Sequence, residues 1–127
     1  MKKNRKLKVI ISLILVLGFC LLAACGSAEQ SSQEEVSYVD YYFRTEKLLN
    51  QHFEKHGIDM GFSNAKDYEK AASDVINNPD ALNKIEKEDG DQVFYIESTN
   101  EFVVLSTDGY IRTYFWPDAG KAYYDKQ

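Results

Sequence analysis

Cysteine is nearly absent from this chain, and its scarcity excludes two kinds of site. The 127 residues contain two cysteines, Cys20 and Cys25, and both lie near the N-terminus. Everything after Cys25 therefore lacks a disulfide framework and a cysteine-based metal site. Histidine is equally scarce, with His52 and His56 as the two examples. A fold formed by this part of the chain must depend on its hydrophobic core.

Basic residues are also few once the N-terminus is set aside. The chain has 15 Lys and Arg against 20 Asp and Glu, and five of the cations fall within residues 1–8. The other ten cations face all 20 anions, which is a formal charge of −10 for the rest of the chain. Such a balance keeps a protein soluble and repels nucleic acid in general and anionic lipid.

Several motifs of known chemistry are missing. The sequence has no Gly-rich phosphate loop, no nucleophile elbow and no complete EF-hand loop. His52 and His56 have a spacing that can hold a metal, but Phe53 stands where the zincin pattern requires Glu. The acidic segment 89–91 lacks the later ligands of a calcium loop, so it predicts a turn. We expect no metal and no cofactor.

The first 25 residues are typical of a secreted protein. A basic start precedes an apolar run, residues 9–24, whose 16 residues are short against the roughly 20 of a spanning helix. The run ends in Leu22-Ala-Ala-Cys25, which resembles the lipobox of bacterial lipoproteins. That resemblance implies lipidation of Cys25, cleavage before it, and a chain anchored to the cell membrane on its extracytoplasmic face. An uncleaved membrane anchor is the alternative.

The composition divides the chain into three parts. Residues 1–24 form the predicted lipoprotein signal peptide. Residues 25–37 are rich in Ser, Glu and Gln, cannot bury enough apolar surface to order themselves, and predict a flexible tether. Residues 38–127, about 90 residues, are enough for one small core without disulfides. We expect a single domain and a monomer.

Apolar spacing within this domain changes from helical to two-fold near residue 90. Spacings of three and four predict a helix over 39–56 and another over 64–77. Asn78-Pro79 predicts a short third helix, with Leu82 and Ile85 facing inward. Alternation then predicts strands at 92–97, 101–107 and 110–116, and a short edge at 123–124. The fold class is α+β, with N-terminal helices packed on one face of a small antiparallel meander.

Two groups of residues could carry chemistry. His52, Lys55 and His56 cluster at the end of the first predicted helix, where the alternative is a solvated helix end that complements the helix dipole. Strand alternation puts Arg112, Tyr114 and Trp116 on one face, which could receive a planar or anionic ligand. The alternative there is ordinary packing of an arginine against its neighbours.

The order of these segments resembles a known group of proteins. The resemblance is carried by residues 52–57 (HFEKHG), 61–63 (GFS), 67–68 (DY), 101–106 (EFVVLS) and 108–115 (DGYIRTYF). Together they are similar to the RNase toxin domains grouped as barnase, EndoU, colicin D and RelE-like, in particular the compact versions in polymorphic toxins and phage proteins. The resemblance covers about residues 40 to 125 and implies an α+β fold.

The resemblance also implies metal-independent RNA cleavage, in which the ribose 2′-hydroxyl attacks the adjacent phosphorus. By position in the motifs, His52 or His56 would be the general acid or base. Lys55 and Arg112 would neutralise the phosphate, and Thr113 or Tyr114 would donate to it.

Three classes of function remain open at this stage. The first is a surface RNase-like enzyme that acts on RNA, and the ordered motifs favour it. The second is a non-catalytic lipoprotein that binds a protein or a small ligand. The third is an acidic immunity-type protein with a protein partner. The negative charge favours the second and third classes.

Overall fold

Residues 35–127 are the part of the chain that the computed structural model describes. The predicted signal peptide, Cys25 and most of the predicted tether lie outside these residues. The described chain from Ser37 onward forms one compact unit. Within residues 35–127, no helix is both long enough and apolar enough to cross a bilayer.

Three helical segments and a sheet make up this unit. The helices are α1 (Glu46–His52), α2 (Ala65–Asn77) and α3 (Lys121–Asp125), and α1 continues into a π-helical turn, Phe53–Gly57. Four strands pair antiparallel in chain order: β1 (Leu82–Ile85), β2 (Gln92–Ile96), β3 (Glu101–Leu105) and β4 (Ile111–Phe115). The predicted α+β class and antiparallel meander are confirmed.

The second helix follows its sequence signals closely. The side chain of Asn64 caps α2 by accepting from the Asp67 N–H at 2.9 Å. Tyr68, Ala72 and Val75 are buried along one side of the helix, as their spacing predicted. This stripe packs on the sheet and forms the centre of the larger core.

The first helix begins later than its apolar spacing predicted. Residues 38–43 are extended and form a strap along α2, and α1 starts after the Thr45 cap. The backbone N–H of Tyr41 donates to Ser73 Oγ at 3.0 Å. The N–H of Phe43 donates to the buried carboxylate of Glu69, also at 3.0 Å. These long-range bonds satisfy the backbone without a helix, so the predicted start at Val39 is wrong.

Two short elements also differ from the prediction. Leu82–Ile85 is strand β1 rather than a third helix, because its backbone pairs with β2 and covers that edge of the sheet. Leu82 and Ile85 are consequently exposed instead of facing inward. The segment around Tyr124 is helix α3 rather than an edge strand. Tertiary contacts outweigh weak local preference in segments this short: β1 pairs with β2, and α3 packs Tyr124 on the sheet.

The sheet buries side chains on both faces. The strap, α1 and α2 cover one face, where Phe94, Val103 and Tyr114 join the larger core. Helix α3 covers the other face, where Tyr124 packs with Val93, Tyr95 and Phe102. The prediction that the helices occupy one face therefore holds for the N-terminal helices and not for α3.

Candidate active site

The end of α1 holds both histidines in a fixed position. His52 ends α1, and the π-helical turn follows it. The Ile58 N–H donates to the carbonyl of Phe53, five residues earlier, at 3.1 Å. A Cβ on Gly57 would lie 2.6 Å from Phe53 Cδ2 and 2.9 Å from Tyr68 Cδ2. Glycine therefore lets the turn pack directly on α2, and single π-helical turns are frequent at functional sites.

A row of four aromatic rings connects the histidines to the strap and the sheet. The ring centroids of Phe43 and His52 are 5.2 Å apart, and those of His52 and His56 are 6.1 Å apart. His56 stacks on Phe115, the last residue of β4, at 5.2 Å and 26°. The two imidazoles belong to one row, but they line two different clefts.

The first cleft contains His52 and has a volume of about 650 Å³. His52 Nδ1 is buried and has no hydrogen-bond partner among the described residues. Burial lowers the pKa of His52 from its ordinary value, and the nearby charges of His56 and Lys55 lower it further. The other walls come from the strap and the start of α1, the β1–β2 loop, the β3–β4 loop and the start of β4: Phe43, Arg44, Leu48, Asp89, Asp91, Ser106, Thr107, Asp108, Tyr110, Ile111 and Arg112.

Both arginines of the first cleft are held by aspartates. Arg112 Nη1 lies 2.5 Å from the buried carboxylate of Asp91 and 3.4 Å from Asp89. The hydrogen bond to Asp91 is the main cause of the raised pKa of Arg112. Arg44 pairs with Asp108 at 2.5 Å. An incoming phosphate would have to displace these carboxylates, so the cleft has little positive charge to offer.

A group of carboxylates adjoins the same cleft. Oxygens of Glu86, Asp89 and Asp91 lie within 4.8 Å of one another. Three oxygen ligands are fewer than Ca²⁺ takes in proteins, and Arg112 already pairs with Asp89 and Asp91. The arrangement agrees with a turn stabilised by an arginine.

The second cleft contains His56 and has a volume of about 670 Å³. Burial is the main cause that lowers the pKa of His56, Lys55 lowers it further, and Asp59 acts in the opposite direction. No carboxylate of residues 35–127 forms an ion pair with Lys55. The walls are Lys55, His56, Asp59, Met60, Asn100, Phe115, Trp116, Pro117 and Asp118. The second cleft thus combines an imidazole with a lysine that forms no ion pair with a carboxylate of the described residues.

A β-bulge at Arg112 separates the residues that strand alternation would place together. Ile111 pairs with Leu105 and Thr113 pairs with Val104, so Arg112 is the extra residue of β4. One extra residue changes the face on which every later side chain of the strand lies. Ile111 and Tyr114 are consequently both buried in the larger core although they are three residues apart, and Arg112 between them is exposed.

The remaining predicted site residues take up different positions. Tyr114 is buried in the helix-side core, where its hydroxyl donates to Glu101 and its carbonyl accepts from Tyr68. Burial and the bond to Glu101 raise its pKa. The expectation that Tyr114 shares an open face with Arg112 and Trp116 is therefore wrong. Thr113 is half-buried. It lies two residues before Phe115 and on the same face of β4.

Sequence reasoning identified part of the second cleft. It singled out His56 and Lys55, and it noted Trp116 on the last strand. Phe115, the ring on which His56 stacks, and Asn100 were not predicted to belong to the site. Asn100 has a positive φ of 56°, and its side chain bonds to Tyr95 and to the Pro117 carbonyl. No local signal in the sequence reports such contacts across the sheet.

Comparison with known proteins supports the fold. No family model matches the chain, and no curated protein matches it. A similar fold occurs in the solved structure of a ribonuclease from Escherichia coli complexed with its inhibitor protein. The TM-score is 0.50 with 19% identity, over 61% of this chain and 95% of that chain. At this identity the likeness concerns the fold alone, and it agrees with the RNase-like fold that the motifs predicted.

Proposed function

We propose that this chain is a membrane-anchored surface lipoprotein whose folded domain cleaves single-stranded RNA without a metal ion. The observation that carries the proposal is that His56 and Lys55 line the same cleft and that Lys55 forms no ion pair with a described carboxylate. The fold similarity to a ribonuclease complex adds support. The anchor is inferred from the lipobox-like segment that ends at Cys25.

The chemistry assigns one role to each of these two residues. The 2′-oxygen of a ribose forms a bond to the adjacent phosphorus while the bond to the 5′-oxygen of the next nucleotide breaks. The products are a cyclic phosphate and a 5′-hydroxyl, whose oxygen takes its proton from water. Because its pKa is lowered, the His56 imidazole is neutral at neutral pH and can accept the 2′-hydroxyl proton. The Lys55 ammonium stabilises the charge that develops on the phosphoryl oxygens.

The second cleft is a better phosphate site than the first. In the first cleft, Arg44 and Arg112 are each paired with an aspartate at 2.5 Å. In the second, Asp59 and Asp118 contribute negative charge, but neither forms an ion pair with Lys55. An anion can therefore reach Lys55 without displacing a carboxylate. Arg112 is assigned a structural role under this proposal.

The negative charge of the domain limits how RNA can bind. Residues 35–127 contain ten Lys and Arg and 18 Asp and Glu. Few phosphates can be neutralised by such a surface, so affinity should be weak and should depend little on salt compared with basic RNA-binding domains. A short substrate held mainly at the cleft suits this charge better than a long one held along the surface.

The test compares variants of the full-length protein, purified in detergent and incubated with total RNA in EDTA at low salt. We expect His56→Ala to slow cleavage by roughly 10²–10⁴-fold, the range for loss of general acid–base catalysis. Lys55→Gln should also slow cleavage because it removes the free cation. His52→Ala is the matched control, since it removes the neighbouring imidazole from the other cleft.

Two results would contradict the proposal. If micromolar wild-type protein leaves the RNA intact, the domain is not an RNase. If His52→Ala is inactive and His56→Ala is fully active, the first cleft is the site.

A protein partner is the second candidate function, and the acidic surface favours it. An excess of carboxylates over cations suits contact with a basic protein surface. The similar structure contains a ribonuclease together with its inhibitor protein, so that fold comparison is compatible with a binding role as well. Intact RNA in the cleavage assay would favour this candidate.

A further inference from the structure

Trp116 is an exposed aromatic residue beside the proposed catalytic histidine. It is the single tryptophan of the chain, and 47% of its surface is exposed. It directly follows Phe115, the residue on which His56 stacks, and it lines the second cleft together with Lys55. A large aromatic ring left open in a polar cleft is a common feature of ligand sites.

Hydrogen bonds of Asn100 anchor the backbone next to Trp116. Asn100 Nδ2 donates to the Pro117 carbonyl at 3.1 Å, and Asn100 Oδ1 accepts from the Tyr95 hydroxyl at 2.8 Å. Tyr95 and Pro117 are both buried. The indole is thus exposed although the segment that presents it is anchored, as expected for a preformed stacking surface.

We propose that Trp116 is the platform on which an unpaired nucleobase stacks, next to the phosphate bound by Lys55 and His56. This inference rests on the proposed function for the identity of the ligand. The cleft volume of about 670 Å³ is within the range of small-molecule sites and is large enough for a nucleotide. A base inside a duplex is covered by its neighbours on both faces, so a stacking platform favours single-stranded RNA as the substrate class.

Base stacking also explains how an acidic domain can hold RNA. In other proteins, replacing the aromatic residue under a stacked base by alanine lowers the affinity by about 5- to 140-fold for each base. This contribution does not depend on cations, which this chain has in short supply. A single stacked base and a single free lysine together give a short, weakly salt-dependent contact with the strand.

The single tryptophan gives a direct readout of stacking. Full-length protein in detergent is titrated with a short single-stranded 2′-deoxy oligonucleotide, which lacks the attacking hydroxyl and cannot be cleaved by this chemistry. We expect saturable quenching of Trp116 fluorescence. An oligonucleotide of equal length and charge with abasic sites should not quench.

Variants test the same contact through the affinity of a labelled oligonucleotide. Trp116→Leu should weaken binding by about 5- to 140-fold, and Trp116→Phe, which keeps a ring, should retain most of the affinity. Tyr42→Leu is the matched control, because it removes a ring that is 55% exposed on the strap and lines neither cleft. Circular dichroism melts confirm that each variant folds, and Trp116→Phe tests the proposal if Trp116→Leu does not fold.

The outcomes separate this inference from cleavage. Absence of oligonucleotide binding, equal quenching by the abasic strand, or equal affinity of the Trp116→Leu and Tyr42→Leu proteins would overturn the platform. Base-dependent quenching by a protein that leaves RNA intact would support the platform and refute the enzyme. Cleavage of RNA without base-dependent quenching would support the enzyme and overturn the platform.

Discussion

Arg112 donates to the buried carboxylate of Asp91 at 2.5 Å in the first cleft, whereas Lys55 lines the second. Asp91 has 6% of its side chain exposed, whereas Arg112 has 52%. The arginine that the motifs would assign to a phosphate is therefore bound to a carboxylate of the fold itself. This pair connects β4 to the loop before β2.

Replacing Arg112 by alanine should lower stability rather than act mainly on chemistry. The variant leaves the Asp91 carboxylate buried without its charged partner, and such a loss costs about 1–3 kcal/mol of the free energy of unfolding. Urea unfolding of the two proteins measures the difference. Arg44→Ala is the control. Its partner Asp108 is 53% exposed, so the loss of that ion pair should lower the free energy of unfolding by less. Equal losses for the two variants would contradict the assignment.

The sequence predicted those parts of the fold that local signals define. The Asn64 cap and the buried stripe that includes Tyr68 lie within one helix, so α2 could be predicted, and the alternation of β2 to β4 is equally local. The strap could not, because its backbone partners, such as Glu69, lie 26 or more residues away. Because the sequence does not reveal these partners, the apolar spacing of the strap was interpreted as a helix.

The same reason limits what could be predicted of the site. His56 and Lys55 are neighbours in sequence, so their pairing was visible. The pairing of Arg112 with Asp91 spans 21 residues and a bulge, and neither leaves a local pattern. A bulge changes the facing of later residues without changing composition. The prediction that Arg112, Tyr114 and Trp116 share one face is wrong for that reason.

Gly57 should tolerate no larger side chain. A methyl group there would lie 2.6 Å from Phe53 and 2.9 Å from Tyr68, and the turn would have to move away from α2. Overpacking of this kind costs about 1–3 kcal/mol of stability, so the melting temperature of Gly57→Ala should fall. Asn50→Ala, at an exposed position of α1, is the control and should change little. An unchanged melting temperature for Gly57→Ala would show that the turn adjusts freely.

Asn100 should control the mobility of Trp116. Asn100→Gly keeps the positive φ available but removes the bonds to Pro117 and to the buried Tyr95 hydroxyl. We expect a loss of about 1–3 kcal/mol in stability and faster decay of Trp116 fluorescence anisotropy. Ser98→Gly, in the same turn and exposed, serves as the control. Identical anisotropy decays in the two variants would mean that Asn100 does not hold the indole.

Lipidation should depend on Cys25. Cells that express the full chain are labelled with a palmitate analogue, and Cys25→Ser should abolish labelling because the predicted acceptor thiol is lost. Cys20→Ser is the matched control and should label like the wild type, since bulky Phe19 precedes Cys20 where a small residue is expected. Labelling of Cys25→Ser at the wild-type level would contradict the anchor.

Acid should destabilise the domain through its two histidines. Burial lowers the folded-state pKa of both His52 and His56 below the unfolded value of 6.5. As the pH falls below 6.5, the unfolded chain therefore binds more protons than the folded one. The stability that comes from keeping the two histidines neutral is complete above pH 6.5 and is lost as the pH falls through their folded pKa. Urea unfolding between about pH 7.5 and about pH 5 should show the loss, and His52→Asn should reduce it because that side chain does not titrate. The carboxylate of Asp108, whose pKa Arg44 lowers, responds at lower pH and stays outside this window. A wild type and a His52→Asn variant with the same slope of stability against pH would show that His52 takes up protons equally well in the folded and unfolded chain.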